Sequence, residues 1–329
     1  MREFELRIVS QSELEDKVTN WFQFVPAWTG WESIIDFLSE DPRIRPLASV
    51  ISMEKQMIRG TEMGKTVHFA RKRDVSIREK WEITDDNSQS VTVANKVTMD
   101  QVVAPRTALF RSLRTHSGVR TIRIDGKSDY LVVERFKGDD VLWEEWPKFN
   151  PSSRREEFWA RKCSLCIVRR LNLVVPGVSL MAFTSDEPLI PSKMLWCIKG
   201  VNSADRRILS VWFNSTPFFL AMLEERTETE GSFSGWDKYV WGRVLTLDPS
   251  DLSSKERERI LKTYERVSDI QFPSLLDQFS NRFEGRKIID DAVFRVLELD
   301  EYLEEEAING LYGKVYEQLK RLRDVSRGE

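Results

Sequence analysis

The hydrophobic periodicity of the sequence changes sharply at Pro249. From about residue 47 to 245, short alternating or β-branched runs such as KTVHFA and SVTVANKVT are separated by Gly, Pro, Asn and Asp, which is typical of strands and turns. After Pro249 apolar residues recur at helical spacing, as in SSKERERILKTYERV (253–267) with its serine cap. The pattern predicts a mixed α/β (α+β) fold. A β-rich domain covers residues 1–250, and a helical tail over 251–329 packs on it or on a partner.

Few helices are expected before Pro249. The clearest is a core helix over 203–225, SADRRILSVWFNSTPFFLAMLEE, in which Pro217 should start or kink a turn. Shorter helices are expected at 12–16, 31–39 and 154–162, and the pattern at 103–115 is ambiguous between helix and strand.

The sequence lacks the usual signatures of catalysis. It has two histidines, no G-x-G-x-x-G and no phosphate-binding G-x-x-x-x-G-K-[ST] loop, so a hydrolytic triad or a nucleotide-dependent reaction is not indicated. Cys163 and Cys166 lie in CSLCIVRRLNLVV, which reads as a strand, and no zinc-like ligand spacing accompanies them. We expect both to be core residues and no metal to be bound.

Charge is unevenly distributed along the chain. The net charge is −3, but residues 43–135 carry +7, whereas 1–42 carry −6 and 246–329 carry −5. A basic middle section is compatible with binding a phosphate backbone. It is equally compatible with an uneven solvated surface.

The segment 209–249, LSVWFNSTPFFLAMLEERTETEGSFSGWDKYVWGRVLTLDP, contains ordered motifs. It matches "W-N-S-T" on a helix, an "R-x-E-x-x-G" turn, a later tryptophan and a strand that ends in Asp-Pro. The matching residues are Trp212, Asn214, Ser215, Thr216, Arg226, Glu228, Gly231, Trp236, Asp248 and Pro249. Three other stretches agree in order: 57–65, then 160–173 followed by 180–200, and finally 272–274 with 288–300.

These motifs resemble the C-terminal target-recognition region of large adenine-specific DNA methyltransferases of restriction–modification systems (type IIG). Pro217-Phe218 departs from the pattern, since a small residue or Gly is common there. The family's catalytic Asn-Pro-Pro-aromatic motif is missing, and Phe149-Asn150-Pro151-Ser152 reads as a turn. The resemblance therefore implies double-stranded DNA as a partner. It also implies a methyltransferase catalytic subunit or domain elsewhere, which would bind S-adenosylmethionine, and no cofactor on this chain.

Two segments are candidate DNA contacts, since glycines let a backbone approach closely while Arg, Lys and hydroxyls bind phosphates or bases. The first, 225–238, offers Arg226, Gly231, Ser232, Ser234, Trp236 and Lys238. The second, 59–74, offers Arg59, Gly60, Lys65, His68, Arg71, Lys72 and Arg73, with KTVHFARK as a strand. Against this, 225–238 could be an ordinary polar loop with Trp236 in the core.

Two other functions stay open at this stage. The chain could be the C-terminal part of a single adenine-specific methyltransferase, or a non-catalytic module that binds RNA or protein. No apolar run spans a bilayer and no signal peptide precedes the first strand, so we expect a cytoplasmic protein without membrane contact.

Overall fold

The computed structural model describes residues 32–62, 66–137, 140–146, 150–225, 227–228 and 233–327. The strands are β1 (Ile44–Pro46), β2 (Met57–Arg59), β3 (His68–Phe69), β4 (Trp81–Asp86), β5 (Ser90–Asn95), β6 (Gln101–Pro105), β7 (Leu109–Leu113), β8 (Asp129–Val132), β9 (Cys163–Val168), β10 (Arg170–Asn172), β11 (Ala182–Pro191), β12 (Leu195–Ile198), β13 (Thr227–Glu228), β14 (Phe233–Gly235) and β15 (Leu245–Leu247).

The helices are α1 (Glu32–Glu40), α2 (Leu47–Val50), α3 (Met53–Gln56), α4 (Asp140–Glu145), α5 (Arg155–Ala160), α6 (Ser203–Phe213), α7 (Thr216–Glu224), α8 (Lys238–Arg243), α9 (Ser254–Val267), α10 (Leu275–Ser280), α11 (Glu284–Leu297) and α12 (Glu305–Arg327). The predicted mixed α/β class is confirmed. No helix in the described ranges has the length and apolar character needed to cross a membrane.

A seven-stranded sheet organises the β-rich part. Its strand order is β2-β12-β9-β11-β7-β8-β3, so β2 and β3, which are close in sequence, form opposite edges. Neighbouring strands are antiparallel except β7 and β11, which are parallel. Smaller sheets join β4-β5-β6, β10-β14-β13 and β1-β15.

Cys163 and Cys166 lie in the buried centre of this sheet, which confirms the expectation that both are core residues. Cys166 pairs in register with Phe183 on β11 and with Cys197 on β12, and all three cysteines are free, buried thiols. Burial raises the pKa of the Cys166 and Cys197 thiols well above the ordinary range, which keeps them protonated.

The predicted helices in the described ranges form, with one correction. The 203–225 helix is α6 and α7, separated at Asn214-Ser215, with Pro217 in the first turn of α7 as expected. Helix α9 begins with a capping box between Ser253 and Glu256. The stretch 103–115 is not a helix, because it pairs with neighbouring strands as the end of β6 and all of β7. The helix predicted at 12–16 lies outside the described residues.

Strand predictions were less exact. CSLCIVRRLNLVV is extended as expected, but Arg169 separates β9 from β10. In the described part of KTVHFARK (66–72), His68 and Phe69 are the strand residues.

The described residues form two hydrophobic cores. The larger contains Trp212 and Phe213 of α6 together with Ile260, Phe294 and Tyr312 of the C-terminal helices, so it continues across residue 250. The smaller lies between β4-β5-β6 and the β7-β8-β3 end of the large sheet. The C-terminal helices thus pack on the β-rich part, and the predicted domain boundary at 250 stays a prediction.

Candidate nucleic-acid interface

The Asn-Ser-Thr motif joins the helices to the sheet. The Asn214 Oδ1 accepts hydrogen bonds from the backbone N–H groups of Met181 (2.8 Å) and Ala182 (3.3 Å), and its Nδ2 donates to the Ala182 carbonyl at 3.0 Å. The Ser215 side chain caps α7 by accepting from the Phe218 N–H. Both hydrogen-bonding groups of the Asn214 amide are thus used inside the protein, and the motif holds α6 and α7 against β11.

Thr216 connects the same motif to the C-terminal helices. Its N–H and its hydroxyl donate to the two oxygens of Asp290 on α11, at 2.7 and 2.5 Å, and the hydroxyl of Tyr312 on α12 donates to Asp290 at 2.6 Å. Burial raises the pKa of Asp290, an effect opposed by the nearby guanidinium of Arg286. Arg286 is buried too, and it donates to the Asn214 carbonyl at 2.9 Å. The motif that carries much of the resemblance is therefore structural in this chain.

The Arg59 end of one candidate DNA segment lies near the Trp236–Lys238 end of the other, although the two are far apart in sequence. Arg59 on β2 pairs in register with Trp196 on β12, and the Trp196 Nε1 donates to the Trp236 carbonyl at 3.0 Å. The Trp236 N–H in turn donates to the Arg169 carbonyl at 2.9 Å. Lys238 forms a 3.9 Å ion pair with Glu54 on α3, directly before β2. The ends of both segments therefore meet at the β2 edge of the large sheet.

Arginine and lysine side chains gather at this meeting point. We call Arg59, Arg169, Arg170 and Lys238 the basic cluster. Partial burial lowers the pKa of Arg169, the positive charges of Arg59 and Arg170 lower it further, and the carboxylates of Glu62 and Asp237 oppose this lowering in part. The Arg169 Nε is buried and has no hydrogen-bond partner in the described part of the chain. Like charges thus lie close together around a guanidinium that is incompletely neutralised.

Few carboxylates neutralise the basic cluster. Among the described residues, no acidic side chain lies within ion-pair distance of Arg169 or of the exposed Arg170. Arg59 pairs with Glu62 at 3.0 Å, and both side chains are more than 40% exposed, so the pair is weak. An anion from outside can therefore bind here without breaking a buried ion pair.

Gly60 is explained by backbone packing. A Cβ at this position would lie 2.1 Å from the Ser192 carbonyl oxygen and 2.5 Å from that of Pro191. The Gly60 N–H also donates to the Leu195 carbonyl at 3.2 Å. The glycine is required because β2 ends against the turn between β11 and β12.

The rest of the 59–74 segment lies at the opposite edge of the sheet. His68 on β3 is fully buried, and its burial together with the charge of Arg114 lowers its pKa well below the usual value. Arg73, 5% exposed, forms a 2.7 Å ion pair with the fully buried Asp129. DNA cannot reach His68 in this conformation, and Arg73 already has a buried partner.

Arg71 and Lys72 differ from each other. The backbone N–H of Arg71 donates to Asp129, and its guanidinium binds the Ser128 carbonyl and Asp86. Lys72 is exposed. Of this part of the segment, Lys72 is the residue best placed to meet an external phosphate.

Trp236 occupies the core rather than the surface. It is 0% exposed, and its Nε1 donates to the Met222 carbonyl at 3.1 Å. Ser234 lies on β14, paired in register with Leu171 and Glu228. The remaining predicted contacts, Lys65, Arg226, Gly231 and Ser232, lie outside the described residues.

Arg169 and Arg170 were not among the residues selected from the sequence. Their signal was an arginine pair that interrupts the apolar run CIVRRLNLVV. Its significance depends on the fact that, among the described residues, no carboxylate lies within ion-pair distance of either arginine, which the sequence does not display.

Comparisons with known proteins give a distant structural likeness. No protein-family model matches the chain, and no match is found among curated proteins. Among solved structures, the chain is similar to the crystal structure of a type IIG restriction endonuclease, BpuSI, with a TM-score of 0.45 and 14% sequence identity. The match covers 89% of this chain and 36% of that one, so this chain spans little more than a third of that protein. A likeness this distant carries no functional argument.

Proposed function

We propose that this chain binds double-stranded DNA and selects the target sequence for an adenine-specific DNA methyltransferase of a restriction–modification system. The catalytic part, which would bind S-adenosylmethionine and receive the flipped adenine, would be a separate subunit or another part of a longer protein. This chain would position the duplex through the basic cluster.

The observation that supports this proposal most is the meeting of the two candidate segments at the basic cluster. Residue chemistry selected both segments as candidate DNA contacts without indicating that their ends are neighbours. Arg169 and Arg170 have no carboxylate partner among the described residues at that point. Guanidinium groups bind phosphate oxygens strongly and bidentately, so a DNA backbone would satisfy charges that the protein itself leaves unpaired.

The residues of the surface have different roles in this proposal. Arg170 is exposed and would contact a phosphate directly, whereas the partly buried Arg169 would raise the local positive potential. Arg59 would exchange its weak pair with Glu62 for a phosphate. Arg226, Gly231 and Ser232 remain proposed contacts because they belong to the candidate segment 225–238.

Fluorescence anisotropy of the full chain on a pool of random duplexes, at low and moderate salt, tests the proposal. Sequencing of the retained DNA then reports any preferred motif. We expect binding that weakens steeply as salt increases, with enrichment of a short sequence. Arg170→Gln should weaken binding by about fivefold, as loss of a charged surface contact worth up to about 1 kcal/mol implies. It should also reduce the salt slope by about one.

Two matched variants make the result specific. Arg259→Gln removes an exposed charge on α9, away from the basic cluster, and should leave affinity unchanged. Lys72→Gln tests the opposite edge of the sheet. If Lys72→Gln weakens binding and Arg170→Gln does not, the DNA surface has been placed at the wrong edge. If the wild-type chain retains no duplex at low salt, autonomous DNA binding is refuted, and an RNA or protein partner becomes the better explanation.

A further inference from the structure

Two aromatic side chains in the described ranges are markedly exposed. Trp159 on α5 is 51% exposed and Tyr239 on α8 is 71% exposed, whereas Trp196, Trp212, Trp236 and Trp241 are buried. Large rings contribute most to stability when they are buried. Neither exposed ring is explained by the packing of this chain.

A cation lies over each exposed ring. The Lys162 Nζ lies 3.4 Å from the centroid of the Trp159 ring. The guanidinium carbon of Arg243 lies 4.5 Å from the centroid of the Tyr239 ring. Glu225 holds Arg243 in place through a 2.8 Å hydrogen bond to its Nε. Each site therefore combines a flat apolar surface with a cation, and the Arg243 cation is also paired with the carboxylate of Glu225.

Trp159 has a second aromatic neighbour. Phe110 on β7 lies with its ring centroid 5.0 Å from that of Trp159, at an interplanar angle of 48°. The guanidinium carbon of Arg155 lies 5.3 Å from the centroid of the Phe110 ring. Aromatic surface and positive charge thus alternate along this face of α5.

Both rings are connected to the basic cluster. The Arg161 side chain, directly after α5, donates to the carbonyl oxygens of Arg59 (2.7 Å) and Gly60 (3.4 Å). On the other side, Tyr239 follows Lys238 of the cluster, and the nearby Trp236 N–H binds the Arg169 carbonyl. Each exposed ring thus lies within two residues, along the chain, of a residue that contacts or belongs to the cluster: Arg161 for Trp159 and Lys238 for Tyr239.

We propose that Trp159 and Tyr239 stack on unpaired nucleobases, so that this surface prefers DNA with exposed bases beside a duplex over an uninterrupted duplex. The inference rests on the proposed function and specifies its substrate. Aromatic rings interleaved with cations bind single-stranded nucleic acid by stacking on bases while the charges bind phosphates. In a regular duplex the faces of internal bases are covered, so a stacking side chain finds a free face only where pairing is interrupted.

The test compares two DNA probes of the same sequence, an intact duplex and a duplex with a short single-stranded gap, in anisotropy titrations of the full chain. Trp159→Leu and Tyr239→Leu remove the rings but keep an apolar side chain. Each should weaken binding to the gapped probe by on the order of tenfold and leave binding to the intact duplex within about twofold. Val103→Ala, at an exposed apolar position on β6, is the control and should change neither affinity.

A second readout reports stacking directly. 2-Aminopurine placed in the gap should lose fluorescence when the wild-type chain binds, and recover it with the Trp159 or Tyr239 variant at saturating protein. Equal weakening on both probes would overturn the inference, because the rings would then contact the backbone or sugar rather than bases. Unchanged binding of the ring variants, alongside weaker binding of Arg170→Gln, would refute stacking and leave the proposed function standing. Absence of binding to both probes would refute the proposed function itself.

Discussion

The two histidines of this chain predict a specific loss of stability in acid. His116 is buried, and its burial, together with the charge of Arg73, lowers its pKa from 6.5 to about 4. In the unfolded chain the imidazole takes up a proton as the pH falls below about 6.5, whereas in the folded chain it stays neutral until about pH 4. Protonation therefore favours the unfolded state, and stability is lost as the pH falls through this window.

The size of the effect follows from the shift in pKa. The difference between the ordinary pKa of 6.5 and the folded-state pKa of about 4 corresponds at most to roughly 3 kcal/mol of stability. Between pH 7.5 and pH 5.0, the part that is realised is about 2 kcal/mol. His68 is buried as well, and its pKa is lowered in the same direction, so it adds to the loss.

Urea unfolding of the wild type and of His116→Gln, at several pH values between 5.0 and 7.5, isolates the His116 contribution. The difference in free energy of unfolding between the two chains should shift by about 2 kcal/mol against the wild type as the pH falls from 7.5 to 5.0. His68 and the buried carboxylates are common to both chains, so their contributions cancel. A pH-independent difference would refute the reasoning, because it would mean that the folded and unfolded states protonate His116 alike.

Three further predictions concern stability and reactivity. In a urea titration, Asp290→Ala should lower the free energy of unfolding by about 3–5 kcal/mol, because it leaves the buried guanidinium of Arg286 without its counter-charge. The control Asp291→Ala, which changes the exposed neighbouring carboxylate, should lower it by less than about 1 kcal/mol. Gly60→Ala should lower the free energy of unfolding by about 1–3 kcal/mol or more, because the added methyl group would clash with the carbonyl oxygens of Pro191 and Ser192. Gly310→Ala, at an open position on a helix, should raise it by about 0.5–1 kcal/mol. Equal effects of the two substitutions would show that β2 can move to accommodate the methyl group. The three cysteines should resist a thiol reagent in the native chain and react completely in urea, and rapid native labelling would contradict their burial.

Much of the local structure could be predicted from the sequence. The capping box at Ser253 and Glu256, and the proline in the first turn of α7, act within a few residues of where they lie. The buried strand around Cys163 and Cys166 could also be predicted, because a short continuous apolar run is typical of a strand that is buried on both faces. The strand expected over KTVHFARK was mostly wrong because pairing with β8 extends over only two residues.

The composition of the candidate site was decided by tertiary structure. The sequence placed Arg59 and Arg73 in one basic segment, but the strand order puts β2 and β3 at opposite edges of the sheet. It also gives Arg73 a buried partner in Asp129, while Arg169 meets no carboxylate in the described part of the chain. The sequence alone determined the periodicity, the caps and the charges of the segments, because these depend on neighbours along the chain. Which charges are neutralised and which are available to a ligand depends on residues brought together from distant positions, and only the folded structure specifies those contacts.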